Sequence, residues 1–186
     1  MNDDFRKWWA VPAIIIPAMV PAAIAAPAFA AQYLTQEQAQ QALFPEASRF
    51  VDQPLRLTPE QASAVEKYAR VRMRGAEQPV WRVEASGRHL GWFVLDEVYG
   101  KHEFITYAVA LDASGAVLGV EILDYRETHG GEVRQAAWRA QFTGKRYGDG
   151  LRLGEEIKNI SGATLSCKHI SEGVRRVLAL HQVALK

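Results

Sequence analysis

The chain has 186 residues, enough for one domain with a sizeable hydrophobic core, and 22 Lys and Arg residues nearly balance 21 Asp and Glu residues. Such a surface lacks the excess positive charge that nucleic-acid binding requires, so we expect no nucleic-acid partner. The single cysteine, Cys167, excludes an internal disulfide framework. Because no Cys and His spacing is typical of zinc, iron–sulfur or covalent haem sites, we expect no metal, and any redox cofactor must be held in another way.

Residues 1–30 are predicted to be a signal peptide for export. Arg6 and Lys7 form a short basic region, an apolar stretch follows, and Ala-Phe-Ala at 28–30 has the small-x-small pattern that signal peptidase recognises. We therefore expect cleavage near Ala30 and a periplasmic protein. The alternative is an uncleaved membrane anchor. Several prolines would interrupt a helix that spans the membrane, namely Pro12, Pro17, Pro21 and Pro27.

Residues 31–80 are predicted to form an N-terminal helical segment with two helices. Thr35 and Thr58 are each followed three residues later by a glutamine, which is the capping-box pattern. Pro59 stands at the first position of the second helix, where a missing N–H costs nothing. We expect one helix to begin after each threonine.

The remaining chain, 81–186, is predicted to contain strands followed by helices. Aromatic and β-branched residues predict four strands, at 79–86, 89–100, 102–112 and 116–126. The sequence Asp-Ala-Ser-Gly predicts a hairpin turn between the last two strands. Helical spacing returns in two segments, 130–145 and 165–182. Successive strands flanked by helices indicate an α+β fold, a single domain with an antiparallel-rich sheet.

The first polar segment that could carry chemistry lies between the last predicted strand and the next helix. It reads Glu127, Thr128, His129, Gly130, Gly131. Loops at such positions often bind ligands, although an ordinary glycine-containing turn would have the same composition. The histidine suits a general base or a hydrogen-bond donor better than a metal ligand, because no second histidine stands at ligand spacing.

The second segment is "ISGATLS" at 160–166. Gly162 and Ala163 separate two hydroxyl residues, Ser161 and Thr164, immediately before a predicted helix. Free backbone N–H groups and the helix dipole favour an anion such as phosphate at that position. The alternative is an ordinary helix N-cap formed by one of the two hydroxyls.

This second segment resembles the flavinylation motif of the FMN-binding domain family, which reads roughly D-x-x-[ST]-G-A-[ST]. The family includes the covalent-flavin subunits of the sodium-translocating NADH:quinone oxidoreductase and of the Rnf complex. The resemblance extends over about residues 85–180. "EILDYRETHGG" is similar to a family loop that commonly reads E-T-P-G, and "FTGK" is similar to an F-x-G-K element. The resemblance implies that the phosphate of FMN is esterified to the hydroxyl oxygen of Thr164.

The resemblance also implies which residues bind the cofactor. They are the loop residues Glu127, Thr128, His129, Gly130 and Gly131 and the motif residues Ser161, Gly162, Ala163, Thr164, Leu165 and Ser166. We expect the loop to contact the flavin ring. Lys158 stands where the family has its acid, and His129 replaces the loop proline. Glu155 and Glu156 are candidate substitutes for the missing acid.

Aromatic side chains are expected around a flavin ring, and the strands supply several of them. The candidates are Trp92, Phe93, Tyr107, Tyr125 and Trp138, and most of them are predicted to be core residues. Cys167 falls one turn after Thr164, and we expect it to be a small buried filler.

The sequence therefore predicts an exported electron-transfer flavoprotein that carries FMN covalently on Thr164. Its expected partners are a membrane-bound redox protein and, during maturation, a flavin transferase. The alternative is an exported FMN-dependent reductase of a small substrate. A non-redox interaction module is the third hypothesis.

Overall fold

The computed structural model describes residues 33–75 and 77–186. The predicted signal peptide lies outside these residues. Within the described part of the chain, no helix is both long enough and apolar enough to cross a bilayer.

A five-stranded sheet forms the centre of the molecule, with helices on both sides. The elements follow in the order α1 (Gln36–Leu43), β1 (Arg49–Asp52), β2 (Leu55–Arg56), α2 (Pro59–Ala69), β3 (Glu77–Gln78), β4 (Val80–Ala85), β5 (Arg88–Tyr99), β6 (Phe104–Asp112), β7 (Val117–Tyr125), a 3-10 turn (Gly131–Arg134), α3 (Ala136–Arg139), a second 3-10 turn (Ala140–Phe142), α4 (Thr164–Leu180) and a closing π-helical turn (His181–Leu185). The sheet order is β1-β4-β5-β6-β7 with antiparallel neighbours, and β2 pairs with β3 separately. The predicted single α+β domain with an antiparallel sheet is confirmed.

The two faces of the sheet are buried by different helices. On one face, α4 packs an apolar stripe onto β5 and β6, and Ile170, Val174, Val177 and Leu178 are buried there. On the other face, α1 covers a smaller cluster that includes Phe44 and Phe93. Helix α2 packs against the outer side of α4 through Val65. The N-terminal part of α4 is held at the ends of two strands, because Ser166 Oγ lies 3.1 Å from the Tyr125 hydroxyl and His169 Nδ1 contacts the Tyr99 carbonyl.

The capping boxes predicted at the N-termini of α1 and α2 are confirmed. Thr35 and Thr58 each accept a hydrogen bond from the backbone N–H of the glutamine three residues later, and each glutamine side chain accepts the threonine N–H in return. Pro59 occupies the first turn of α2. The turn after β6 is also as predicted, with Asp112 Oδ1 accepting from the Ser114 and Ala116 N–H groups.

The prediction of one continuous helix over 130–145 is wrong. Gln135 adopts an extended backbone with ψ 130°, so the segment divides into a 3-10 turn, the short α3 and a second 3-10 turn. Val133, Trp138 and Phe142 are nevertheless buried against the sheet. Helical spacing also predicts Ala137 on this apolar face, but it is exposed, and no continuous helix connects the buried residues.

Candidate functional site

The two polar segments singled out in the sequence meet in space. A Cβ atom added to Gly130 would lie 2.6 Å from the Cβ of Ala163, so the loop after β7 and the motif before α4 are in direct contact. Beside this contact lies a cleft of about 450 Å³. Its lining comes from three stretches of chain, Lys101 and His102, Glu127 to His129, and Gly162 to Ser166.

The N-terminus of α4 opens into this cleft without a side-chain cap. Ala163 is the N-cap residue, and the first intrahelical hydrogen bond runs from the Cys167 N–H to the Ala163 carbonyl at 2.9 Å. The N–H groups of residues 164–166 therefore have no partner within the helix. Gly162 has φ +84°, and a Cβ atom added to it would have no heavy atom within 4 Å, so the approach to the helix end is open. The N-cap alternative for Ser161 or Thr164 is not what the structure shows, because neither side chain caps α4.

The Thr164 hydroxyl is exposed and receives a hydrogen bond. Asn159 Nδ2 donates to Thr164 Oγ1 at 3.1 Å. Lys158, the residue before Asn159, is held by two hydrogen bonds to its backbone. Trp138 Nε1 donates to the Lys158 carbonyl at 2.8 Å, and the Lys158 N–H donates to Gln141 Oε1 at 2.7 Å. The segment that presents Asn159 to the threonine is thus attached to the helical region after β7.

The candidate acids are engaged elsewhere. Glu155 and Glu156 both form ion pairs with Arg152, at 2.9 and 3.4 Å, and Glu156 also accepts the Arg152 backbone N–H at 2.8 Å. The polar side chain that contacts the Thr164 hydroxyl is Asn159, which sequence reasoning missed. Its signal in the sequence is weak, a single amide two residues before Ser161.

Tyr125, the last residue of β7, connects the loop to the helix. Its hydroxyl donates to the His129 carbonyl at 2.6 Å and lies 3.1 Å from Ser166 Oγ. Burial raises the pKa of Tyr125, so its hydroxyl remains a protonated donor. Ser166 is buried, whereas Ser161 is exposed. Of the two serines flanking Thr164, Ser166 therefore acts in fixing the loop to α4.

Glu127 lines the cleft, and one of its carboxylate oxygens is directed at a turn. Its Oε1 accepts the backbone N–H groups of His102 at 2.6 Å and Glu103 at 3.1 Å, together with that of Lys101. Burial opposes ionisation of this carboxyl, but the three N–H donors outweigh it and lower the pKa of Glu127. These bonds occupy one of the two carboxylate oxygens, and the expected contact of Glu127 with a flavin ring stays a prediction.

Thr128 and His129 are the exposed side chains at the tip of the loop, with Thr128 Oγ1 2.9 Å from His129 Nδ1. They also line a second cleft, of about 740 Å³, on the far side of the loop. There the Arg134 guanidinium lies 3.8 Å from the centroid of the Tyr33 ring. The loop is thus a ridge between two clefts, and a group bound in either one would contact it.

The aromatic residues expected in the core are there. Trp92, Phe93, Tyr107, Tyr125 and Trp138 are all buried. Cys167 is also buried, and burial raises the pKa of its thiol, so it fits the predicted role of a small filler.

Comparison with known proteins places the site within a recognised domain. Residues 100–179 match the sequence profile of the FMN-binding domain family, a range that includes both segments of the cleft. The crystal structure of NqrC from Shewanella oneidensis aligns with a TM-score of 0.49 at 21% identity over 75% of this chain and 80% of that chain. A subunit of the Na(+)-translocating NADH-quinone reductase from Parabacteroides distasonis has a similar fold, with a TM-score of 0.51 at 14% identity over 72% of this chain and 77% of that chain. No curated protein sequence matches the chain significantly. The family resemblance predicted from the sequence is confirmed.

Proposed function

We propose, from the premise that residues 100–179 belong to the FMN-binding domain family, that this protein is an exported flavoprotein with FMN linked through its phosphate to Thr164. Its role is electron transfer with a membrane-associated redox partner. When bound, FMN supplies the capacity to accept and donate one or two electrons, and the protein supplies position and polarity.

One observation carries the assignment of Thr164. Its hydroxyl is exposed in a cleft at the uncapped N-terminus of a helix of 17 residues. The free N–H groups and the helix dipole stabilise negative charge at that point, so a phosphate on Thr164 Oγ1 would be bound favourably. Gly162 leaves the approach unobstructed for a modifying enzyme. The residues present therefore fit a phosphate-anchored flavin.

The linkage requires a transfer reaction. A flavin transferase would supply FMN in an activated form, as a flavin nucleotide whose phosphate is joined through an anhydride bond to a second nucleotide. Thr164 Oγ1 forms a bond to the FMN phosphorus, the anhydride bond breaks, the second nucleotide leaves as its monophosphate, and a base of the transferase takes the hydroxyl proton. Asn159 donates to this oxygen and so orients the hydroxyl, while the hydroxyl proton points away from the amide towards an acceptor that the transferase would supply.

Two observations support the proposal, one for the membrane partner and one for the covalent bond. The fold is shared with a subunit of a Na(+)-translocating NADH-quinone reductase. The sequence at 28–30 predicts export, and a flavin outside the cytoplasm has no local supply, so a covalent bond keeps it in place.

The test is to replace the hydroxyl alone. Thr164→Val nearly preserves the side-chain shape, so the variant should fold but carry no flavin that survives denaturation, while Thr164→Ser should retain some. Each variant is co-expressed with a flavin transferase, denatured, and examined for in-gel fluorescence and for the FMN mass on the peptide that contains residue 164.

A matched control is Thr128→Val, because Thr128 is an exposed threonine that lines the same cleft. It should keep its covalent flavin. Fluorescence that persists in Thr164→Val would move the attachment to another residue, and an unmodified wild-type protein would contradict the covalent linkage.

A further inference from the structure

A third stretch of chain lines the cleft and has no assigned role in the proposed site. The turn between β5 and β6 places Lys101 and His102 in the same lining as Thr164 and Leu165. Both turn residues are exposed. Neither belongs to the motif or to the loop after β7, so the turn adds a separate surface to the site.

Glu127 holds this turn in place. Its Oε1 accepts from three successive backbone N–H groups, those of Lys101, His102 and Glu103. Gly100 allows the close approach, because a Cβ atom there would collide with the Glu127 carboxylate. The turn closes through a hydrogen bond from the Gly100 N–H to the Glu103 carbonyl at 2.8 Å. The position of Lys101 is therefore set by a carboxylate from the loop that borders the cleft.

The lining of the cleft contains one lysine and one carboxylate, and the carboxylate is already bound to backbone N–H groups. Among the described residues that line it, Glu127 is the acidic one, and its Oε1 is directed at the N–H groups of the turn. Lys101 is an exposed residue of the same lining. A phosphate at the N-terminus of α4 would thus lie in one cleft with unpaired helix N–H groups and a lysine.

We infer that Lys101 pairs with the phosphate of FMN at Thr164, and that Glu127 is the positioning residue that holds the turn for this contact. The inference rests on the proposed function, since it assigns residues around the same phosphate. It changes the role of Glu127 from a ring contact to the support of a cation-bearing turn.

The experiment compares two ligands that differ in the phosphate. Non-covalent binding of FMN and of riboflavin to the unmodified chain is measured by flavin fluorescence quenching. Lys101→Ala should weaken FMN binding about tenfold, the usual size of a charge-assisted hydrogen bond lost at an accessible site, and leave riboflavin binding unchanged. Lys168→Ala is the matched control. Its exposed ammonium belongs to α4 but lies outside the cleft lining, so binding of both ligands should stay as in the wild type.

Glu127→Ala should also reduce the preference for FMN over riboflavin, because the turn loses the acceptor of its three N–H groups. If Glu127 acts through Lys101, the double variant Glu127→Ala with Lys101→Ala should lose little beyond the Lys101→Ala variant. Additive losses would contradict the positioning role of Glu127.

Three outcomes overturn the inference. An unchanged FMN preference in Lys101→Ala excludes the phosphate contact, and an equal loss for both ligands places the turn against the ring. Where the unmodified chain binds FMN too weakly to titrate, the rate of loading by the transferase replaces the affinity, and equal rates for Lys101→Ala and Lys168→Ala exclude the contact. A wild-type chain that neither binds nor accepts FMN contradicts the proposed function itself, which separates that failure from the others.

Discussion

At the residue scale, the hydroxyl of Thr164 has a defined polar environment. The amide of Asn159 donates to it at 3.1 Å, so one lone pair of the oxygen is occupied and the hydroxyl hydrogen points elsewhere. An acid at this position would accept the hydroxyl hydrogen instead. The chain therefore orients the oxygen with an amide, and Lys158 contributes through its backbone groups.

We predict that Asn159→Ala slows flavin loading. A lost hydrogen bond of this kind is worth about 0.5–1.5 kcal/mol, which corresponds to roughly a twofold to tenfold lower rate of modification by the transferase. Because Asn159 is exposed, the thermal midpoint should hardly change. Lys158→Ala removes a neighbouring exposed side chain and keeps the backbone contacts, so it is the control and should load at the wild-type rate. Equal loading of the two variants would show that Asn159 does not orient the oxygen.

At the element scale, the site depends on how closely the loop after β7 approaches the start of α4. Gly130 has φ +86°, and a Cβ atom on it would lie 2.6 Å from Ala163 and 2.7 Å from the Tyr125 hydroxyl. Contacts this short require the loop or the helix to shift. Gly144 has nearly the same backbone conformation, φ +79°, but no heavy atom lies within 4 Å of the corresponding position.

This pair gives a matched prediction for stability. Gly144→Ala should cost about 1–2 kcal/mol, the penalty for a side chain in the left-handed region. Gly130→Ala should cost a further ~1–3 kcal/mol, because the added methyl group overlaps its neighbours. Urea unfolding measures both values, and flavin loading should fall in Gly130→Ala alone. Equal losses in the free energy of unfolding of the two variants would mean that the loop shifts to accommodate the methyl group without strain, so its contact with α4 is not closely packed.

The same elements show which parts of the structure the sequence could predict. The capping boxes at Thr35 and Thr58, the four long strands and the stripe of α4 are encoded within a few residues, and all of them are present. The short β1 pairs with β4 over a long sequence separation, and no local pattern marked it. Gln135 interrupts a helix although its neighbours have helical spacing, because the buried Val133 and Trp138 must both reach the sheet.

The site was predictable to a similar extent. The motif and the loop are each a contiguous run of residues, and the resemblance to the FMN-binding domain family is what identified them as a site. The contact of Glu127 with the turn joins residues that are 24 to 26 positions apart, so only the folded chain reveals it. Lys101 and His102 were missed for the same reason, since a lysine and a histidine in a turn resemble any solvated surface.

At the scale of the whole molecule, two buried imidazole nitrogens make stability depend on pH. His181 Nε2 and His89 Nδ1 are buried without a hydrogen-bond partner among the described residues. Burial lowers the pKa of His181, with further repulsion from Lys186 and His89 that Asp112 partly opposes. Burial also lowers the pKa of His89, aided by Arg82 and opposed by the Val83 backbone and Glu84. Both groups therefore favour the neutral form in the folded protein.

We predict that the protein loses stability on mild acidification. Because the folded-state pKa values are lowered, the unfolded chain binds more protons once the pH falls through the ordinary histidine value of 6.5. The stability contributed by the two neutral histidines is fully present above pH 6.5. It declines as the pH falls from 6.5 to the lower pKa values of the folded state. The urea midpoint should be lower at about pH 5.5 than at about pH 7.5.

His181→Gln should reduce this pH dependence, because one of the two groups no longer titrates. The control is His102→Gln, since His102 is an exposed histidine and its removal should leave the dependence unchanged. A urea midpoint that is independent of pH in the wild type would show that both imidazoles accept protons in the folded state without penalty.

Tyr33 is attached to the end of the molecule that carries the loop after β7. Its N–H donates to the Leu123 carbonyl at 2.8 Å, its ring lies under Arg134, and it borders the cleft on the far side of that loop. An N-terminal anchor, the alternative to a cleaved signal peptide, would therefore hold this side of the domain towards the membrane. The orientation of a flavin bound beside the loop would then be set by chain connectivity, before any recognition between redox partners takes place.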